Sequence, residues 1–87
     1  MAGNRVWAAV RHVRKLVESF GPPIVYRKLH GIINALEMQV EDGHYQRHAV
    51  AQLCEALLAS AELYAIPGES AGRLKELVRG IVNSAES

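Results

Sequence analysis

The sequence predicts an all-α protein, a single small domain of four helices packed as a bundle, with the hairpin of the second and third helices at its centre. Apolar residues recur three or four positions apart through most of the 87-residue chain, and 49% of its residues are hydrophobic. That spacing places them on one face of a helix, whereas strands would show alternation. Three breaks divide the pattern into four segments: Gly-Pro-Pro at residues 21–23, Asp-Gly at residues 42–43 and Pro-Gly at residues 67–68.

The first two helices are predicted over residues 5–20 and 24–41. Gly21-Pro22-Pro23 separates them, because glycine favours the position after a helix and proline cannot continue one. Asp42-Gly43 ends the second. The core stripe of the first helix comprises Val6, Val10, Val13, Val17 and Phe20. The main stripe of the second comprises Val25, Leu29, Ile32, Leu36 and Val40, widened by Tyr26 and Ile33.

The third helix is predicted over residues 44–66 and the fourth over residues 70–83. The third carries the widest apolar arc, which is why the chain is expected to be organised around it. Residues 84–87 are expected to form a frayed tail of the single domain, residues 1–87. The arc of the third helix comprises Val50, Leu53, Cys54, Leu57, Ala61 and Tyr64, and the stripe of the fourth comprises Leu74, Leu77, Val78, Ile81 and Val82.

Charge is distributed unevenly along the chain, although the net charge is only +1. Residues 1–30 carry six basic residues and one acidic residue (+5), and residues 31–87 carry four basic and eight acidic residues (−4). This asymmetry suggests a polar molecule, or two charged faces that meet in a dimer. A single cysteine and no apolar run of roughly 20 residues predict a cytoplasmic protein without a membrane segment.

A second apolar stripe follows the second helix, about 180° from its core face. It comprises Ile24, Gly31, Ala35 and Met38, at spacings of seven, four and three. A glycine inside a helix costs stability unless a neighbour approaches closely, and methionine suits adaptable contacts. The stripe therefore predicts a face that binds a partner protein or a second copy. The alternative is that helix one or helix four covers it within the monomer.

The first helix carries a second candidate surface for a partner, composed of Trp7, Arg11, Arg14 and Lys15. Arg11 follows Trp7 by one turn, within reach of a cation–π contact, and both residue types are frequent in interface hot spots. The alternatives are a half-buried tryptophan and a solvated basic face. A nucleic-acid surface is a further alternative, in which phosphates contact Arg11, Arg14, Lys15, Arg27 and Lys28.

Two histidines and the single cysteine are the residues that could bind a metal or act as a nucleophile. His44 and His48 have the i, i+4 spacing of metal ligands, but solvent-exposed histidines are the simpler interpretation, and no metal or other cofactor is predicted. Cys54 lies among apolar residues that would suppress thiolate formation. Without a phosphate loop, a nucleophile motif or paired carboxylates, the sequence predicts no enzyme.

The small size, the helical pattern and the lack of catalytic groups are similar to those of small bacterial or phage regulators that act by occupying a partner protein. This resemblance is one of general character and involves no specific motif. The resulting hypothesis is a non-enzymatic protein–protein interaction module, acting as a homodimer, that binds and occludes another protein. The alternative hypothesis is a small nucleic-acid-binding protein that uses the basic residues of the first helix and the start of the second.

Overall fold

The computed structural model describes residues 4–41 and 43–86, and within these ranges it contains helices and no β-strand. The α-helices are α1 (Asn4–Glu18), α2 (Arg27–Val40), α3 (Arg47–Leu58) and α4 (Gly68–Glu86). A short 3-10 helix, Ala61–Ala65, lies between α3 and α4. The expected all-α, bundle-like fold is confirmed.

The four helices pack in a ring. Each contacts its neighbours in the chain, and α4 closes the ring by packing against α1. The α1–α4 contact is the most extensive of the four and the α2–α3 contact the least. This differs from the expected arrangement around an α2–α3 hairpin, because all four helices share one core. Its largest fully buried side chains are Leu29, Ile33, Leu36, Leu57, Leu74 and Ile81.

The core stripe predicted for α1 is confirmed for Val6, Val10, Val13 and Val17, which are fully buried, whereas Phe20, its fifth member, is partly exposed in the turn after the helix. α1 ends at Glu18, and Gly21 adopts a φ of +154°, which suits a residue without a β-carbon. The rings of Phe20 and Tyr26 meet edge to face across this corner, with centroids 6.1 Å apart. The corner is therefore fixed by packing as well as by its prolines.

α2 begins at Arg27, three residues later than expected, and this changes the environment of Ile24 and Val25. A turn bond from the Val25 amide to the Pro22 carbonyl (3.0 Å) and the non-helical dihedral angles of Tyr26 hold the preceding segment outside the helix. Val25, predicted as a core residue, is 55% exposed. The buried stripe is centred instead on Ile33, which is fully buried, while Ile32 is partly exposed.

The segment predicted as one helix over residues 44–66 is divided. α3 starts at Arg47 and ends at Leu58, and Ser60 caps the following 3-10 helix by accepting a hydrogen bond from the Glu62 amide (3.3 Å). The tighter winding of a 3-10 helix rotates the apolar face. Leu63 is consequently buried, and Tyr64, expected in the core, is 93% exposed.

α4 extends beyond the predicted residues 70–83 in both directions. It ends at Glu86, and Ala85 is 6% exposed, so residues 84–86 are helical where a frayed tail was expected. Gly43 has a φ of +82°, and its amide donates a hydrogen bond to the Val40 carbonyl, as expected for the end of α2. Asp42, the other residue of the predicted stop, lies outside the described residues. Among the described helices, none has the length and hydrophobicity required to cross a membrane.

Candidate functional site

The outer face of α2, defined here as Gly31, Ala35 and Met38, lies open on the surface. Met38 is 78% exposed, Ala35 is partly exposed, and a β-carbon built on Gly31 would meet no atom within 4 Å. Within the part of the chain that the structure describes, no helix therefore approaches Gly31 closely. Ile24, predicted on the same stripe, is 76% exposed but lies in the turn before α2.

A polar seam, formed by Arg14, Asn34 and Glu37, joins α1 to α2 beside this face. The Arg14 guanidinium donates to both carboxylate oxygens of Glu37, at 2.5 and 3.1 Å, and also to the side-chain oxygen of Asn34. The side chains of Arg14 and Glu37 are only 15% and 18% exposed. Arg14 therefore serves to hold two helices together, and its charge is already neutralised by Glu37.

Arg11 extends the polar seam towards Trp7. Its guanidinium lies 3.5 Å from Glu37 and 5.8 Å from the centre of the Trp7 ring, so the predicted cation–π contact is present. Trp7 is partly buried and packs against the core, as the alternative interpretation of this residue expected. Asn34 lies three positions after Gly31 and four before Met38, so the polar seam borders the outer face of α2 through Asn34.

The basic face predicted on α1 is divided between two neighbours of that helix. Arg11 and Arg14 pair with α2, whereas Lys15 borders a groove between α1 and α4. This α1/α4 groove has a volume of about 410 Å³ and is lined by His12, Lys15, Leu16, Ser19, Arg73 and Leu77. Its lining contains three basic residues and no carboxylate. Arg73 was not predicted as a site residue, because only the tertiary fold brings α4 beside Lys15.

The remaining cations of the nucleic-acid alternative, Arg27 and Lys28, are exposed at the start of α2. The backbone amides of Lys28 and Leu29 donate to the two carboxylate oxygens of Glu62, each at 3.0 Å. The start of α2 thus already holds an anionic group from the 3-10 helix. Of the five cations proposed to bind phosphates, Arg11 and Arg14 are paired with Glu37.

The structure also places the residues considered for metal binding and nucleophilic chemistry. His44 precedes α3, so it does not share a helical face with His48, and no group of three or more metal-ligating side chains occurs among residues 4–41 and 43–86. Cys54 is 1% exposed, and desolvation raises the pKa of its thiol to about 11. The thiol is therefore protonated and poorly nucleophilic near neutral pH.

His30 is a buried polar residue that the sequence did not distinguish. It is 6% exposed, and its Nε2 atom has no hydrogen-bond partner among the described residues. Its position between Leu29 and Ile33 in the buried stripe is the one sequence signal for this burial.

Comparison of the chain with protein-family models, with curated proteins and with solved structures finds no match.

Proposed function

We propose that the protein is a non-enzymatic interaction module that pairs with a second copy through the outer face of α2 and acts as a small regulator by occupying a partner protein. The observation that carries the proposal is the exposure of Met38, at 78%, on the same helix face as the open Gly31. An apolar, sterically open helix face bordered by a polar seam has the composition of an interface, which combines an apolar centre with a polar rim.

The spacing of the apolar residues favours an antiparallel, two-fold arrangement. Ile24 and Met38 lie seven positions before and after Gly31. An antiparallel crossing centred on Gly31 would therefore bring Met38 of one copy towards the Ile24 turn of the other. The absence of a side chain at Gly31 would allow the two helices to approach closely at the crossing point. Each copy of a stable dimer typically buries roughly 800 Å², about one seventh of this chain's 5474 Å² accessible surface.

The proposal is tested by light scattering on the purified chain and on two variants. We expect twice the 9.6 kDa chain mass for the unmodified protein. Gly31→Leu should give the single-chain mass because its side chain prevents close approach. Met38→Glu should do the same because it places an unpaired charge in the interface.

Gly72→Leu is the matched control. Gly72 also lies in a helix with no atom within 4 Å of a built β-carbon, so both glycine substitutions remove the same backbone flexibility and add the same exposed side chain. Circular dichroism should show unchanged helicity in every variant. A single-chain mass for the unmodified protein, or a mass that Gly31→Leu and Met38→Glu leave doubled, would refute this interface.

A further inference from the structure

The cations that border the α1/α4 groove differ from Arg11 and Arg14, which share the carboxylate of Glu37. Lys15 and Arg73 form no ion pair in the part of the chain that the structure describes, and His12 joins them on the same rim. Glu69 and Glu76 lie one turn from Arg73 on α4 and line an adjacent cavity together with it, but neither lines the α1/α4 groove. Lys15 and Arg73 thus place two positive charges on a groove whose lining contains no carboxylate.

The floor of the groove is apolar. Leu16 and Leu77 are partly exposed there, although both pack against the core. The Ser19 hydroxyl donates to the Leu16 carbonyl at 2.5 Å, so the free side-chain donors belong to the three basic residues. A complementary ligand must combine an anionic group for the rim with an apolar group for the floor.

We propose that the α1/α4 groove binds an acidic segment of a partner protein, with a carboxylate at Lys15 and Arg73 and an adjacent apolar side chain against Leu16 and Leu77. A volume of about 410 Å³ falls within the range typical of ligand sites. Inorganic phosphate would gain nothing from the leucine floor. Single-stranded nucleic acid would need several aromatic stacking platforms, and the groove lining contains one small ring, the imidazole of His12, and no Phe, Tyr or Trp.

This site goes beyond the pairing proposed for α2, since it uses a different pair of helices. It specifies the chemistry of the partner, whereas the outer face of α2 accounts for the second copy. The groove is formed by one chain alone, so a monomeric variant retains it. The two proposals can consequently fail separately.

The experiment measures the fluorescence anisotropy of a labelled synthetic peptide built from glutamate and leucine at helical spacing. We expect saturable binding to the unmodified chain. The double variant Lys15→Glu/Arg73→Glu should weaken it by about tenfold, which corresponds to two exposed ion pairs and their replacement by repulsion. Arg79→Glu is the matched control, because Arg79 is an exposed cation of α4 outside the groove lining and should leave the affinity within about twofold.

Two further probes test the composition of the ligand. A glutamate–glutamine peptide of equal charge should bind at least about tenfold more weakly, because it offers nothing to the leucine floor. A single-stranded oligonucleotide should bind more weakly than the glutamate–leucine peptide. Undiminished peptide binding by Lys15→Glu/Arg73→Glu, equal binding of the two peptides, or preferred binding of the oligonucleotide would each overturn the assignment. The same titration on Gly31→Leu should give an unchanged affinity per chain, so loss of pairing and loss of groove binding are distinguished.

Discussion

Cys54 illustrates how burial controls the chemistry of a single residue. Its thiol is 1% exposed, and desolvation raises its pKa from the ordinary 9.0 to about 11. A group whose pKa is raised on folding contributes stability below its unfolded pKa and loses that contribution as the pH rises through its folded pKa. The contribution of Cys54 should therefore be complete below pH 9 and disappear between pH 9 and 11.

This prediction is tested by urea unfolding of the unmodified chain and of Cys54→Ala. The free energy of unfolding of the unmodified chain should fall by on the order of 2 kcal/mol more than that of the variant between these pH values. A thiol-specific reagent at pH 8 should label Cys54 only as fast as the folded chain opens and exposes the thiol. Rapid labelling of the folded protein, or parallel pH profiles of the two chains, would contradict the buried, protonated thiol.

Arg14 and Lys15 are adjacent in sequence but perform different tasks. Arg14 donates three hydrogen bonds to Glu37 and Asn34, whereas Lys15 is exposed at the groove rim. Arg14→Gln should lower the free energy of unfolding by about 2 kcal/mol, because it leaves the partly buried Glu37 without its main donor. Lys15→Gln should change it by less than about 0.5 kcal/mol. Urea unfolding measures both, and equal effects of the two substitutions would refute the distinction.

The difference between Arg14 and Lys15 shows which property of a single residue helical periodicity cannot predict. Helical periodicity placed Val10 and Val13 in the core, and both are fully buried. Periodicity also put Arg14 outside the apolar stripe. It contains no information on Glu37, a partner 23 positions away that decides whether Arg14 is available. A basic helix face read from sequence therefore gives the positions of the charges and leaves their pairing open.

At the scale of an element, the start of α2 depends on a side chain from another element. Tyr26, at the N-cap position, makes no side-chain cap, and α2 has no acidic residue in its first turn. The carboxylate of Glu62 accepts hydrogen bonds from the Lys28 and Leu29 amides instead, at 3.0 Å each. A carboxylate there satisfies two free amides and interacts favourably with the helix dipole.

Glu62→Ala should therefore lower the free energy of unfolding by about 1 kcal/mol, the typical cost of losing a helix cap. Glu55→Ala is the control, because Glu55 is an exposed carboxylate of α3 and its removal should cost less than about 0.5 kcal/mol. Amide hydrogen exchange adds a local readout, in which Lys28 and Leu29 should lose protection in Glu62→Ala. Equal stabilities of the two variants, with unchanged exchange at these amides, would exclude the capping role.

The same contact explains why element boundaries were less predictable than the elements themselves. Four helices follow from apolar spacing and from the glycine and proline breaks. The end of α3 at Leu58 cannot be predicted in this way, because the apolar pattern continues through Tyr64 and contains no glycine or proline before Pro67. The 3-10 helix that follows brings Glu62 to the start of α2, and this long-range contact is invisible in a local pattern.

At the scale of the whole molecule, the ring of helices leaves α2 with an uncovered side. Periodicity identified both apolar faces of α2, but it could not decide whether a neighbour covers the second one. The order of packing shows that the second face is uncovered. α1 lies between α2 and α4, and no helix among residues 4–41 and 43–86 lies near Gly31. The position of α4 beside α1 equally creates the α1/α4 groove, which combines residues about 60 positions apart.

If two copies pair through the outer face of α2, stability must depend on protein concentration. Dimerisation adds a stabilising term that grows with the concentration of folded chain. The thermal midpoint of the unmodified chain should accordingly rise with concentration, whereas that of Gly31→Leu should stay constant. Tyr64→Ser is the matched control: Tyr64 is 93% exposed on the 3-10 helix, so its removal should preserve the concentration dependence. If the midpoint of the unmodified chain does not depend on concentration, the outer face of α2 does not pair and is exposed to solvent. The same conclusion would follow if Tyr64→Ser abolished the concentration dependence and Gly31→Leu kept it.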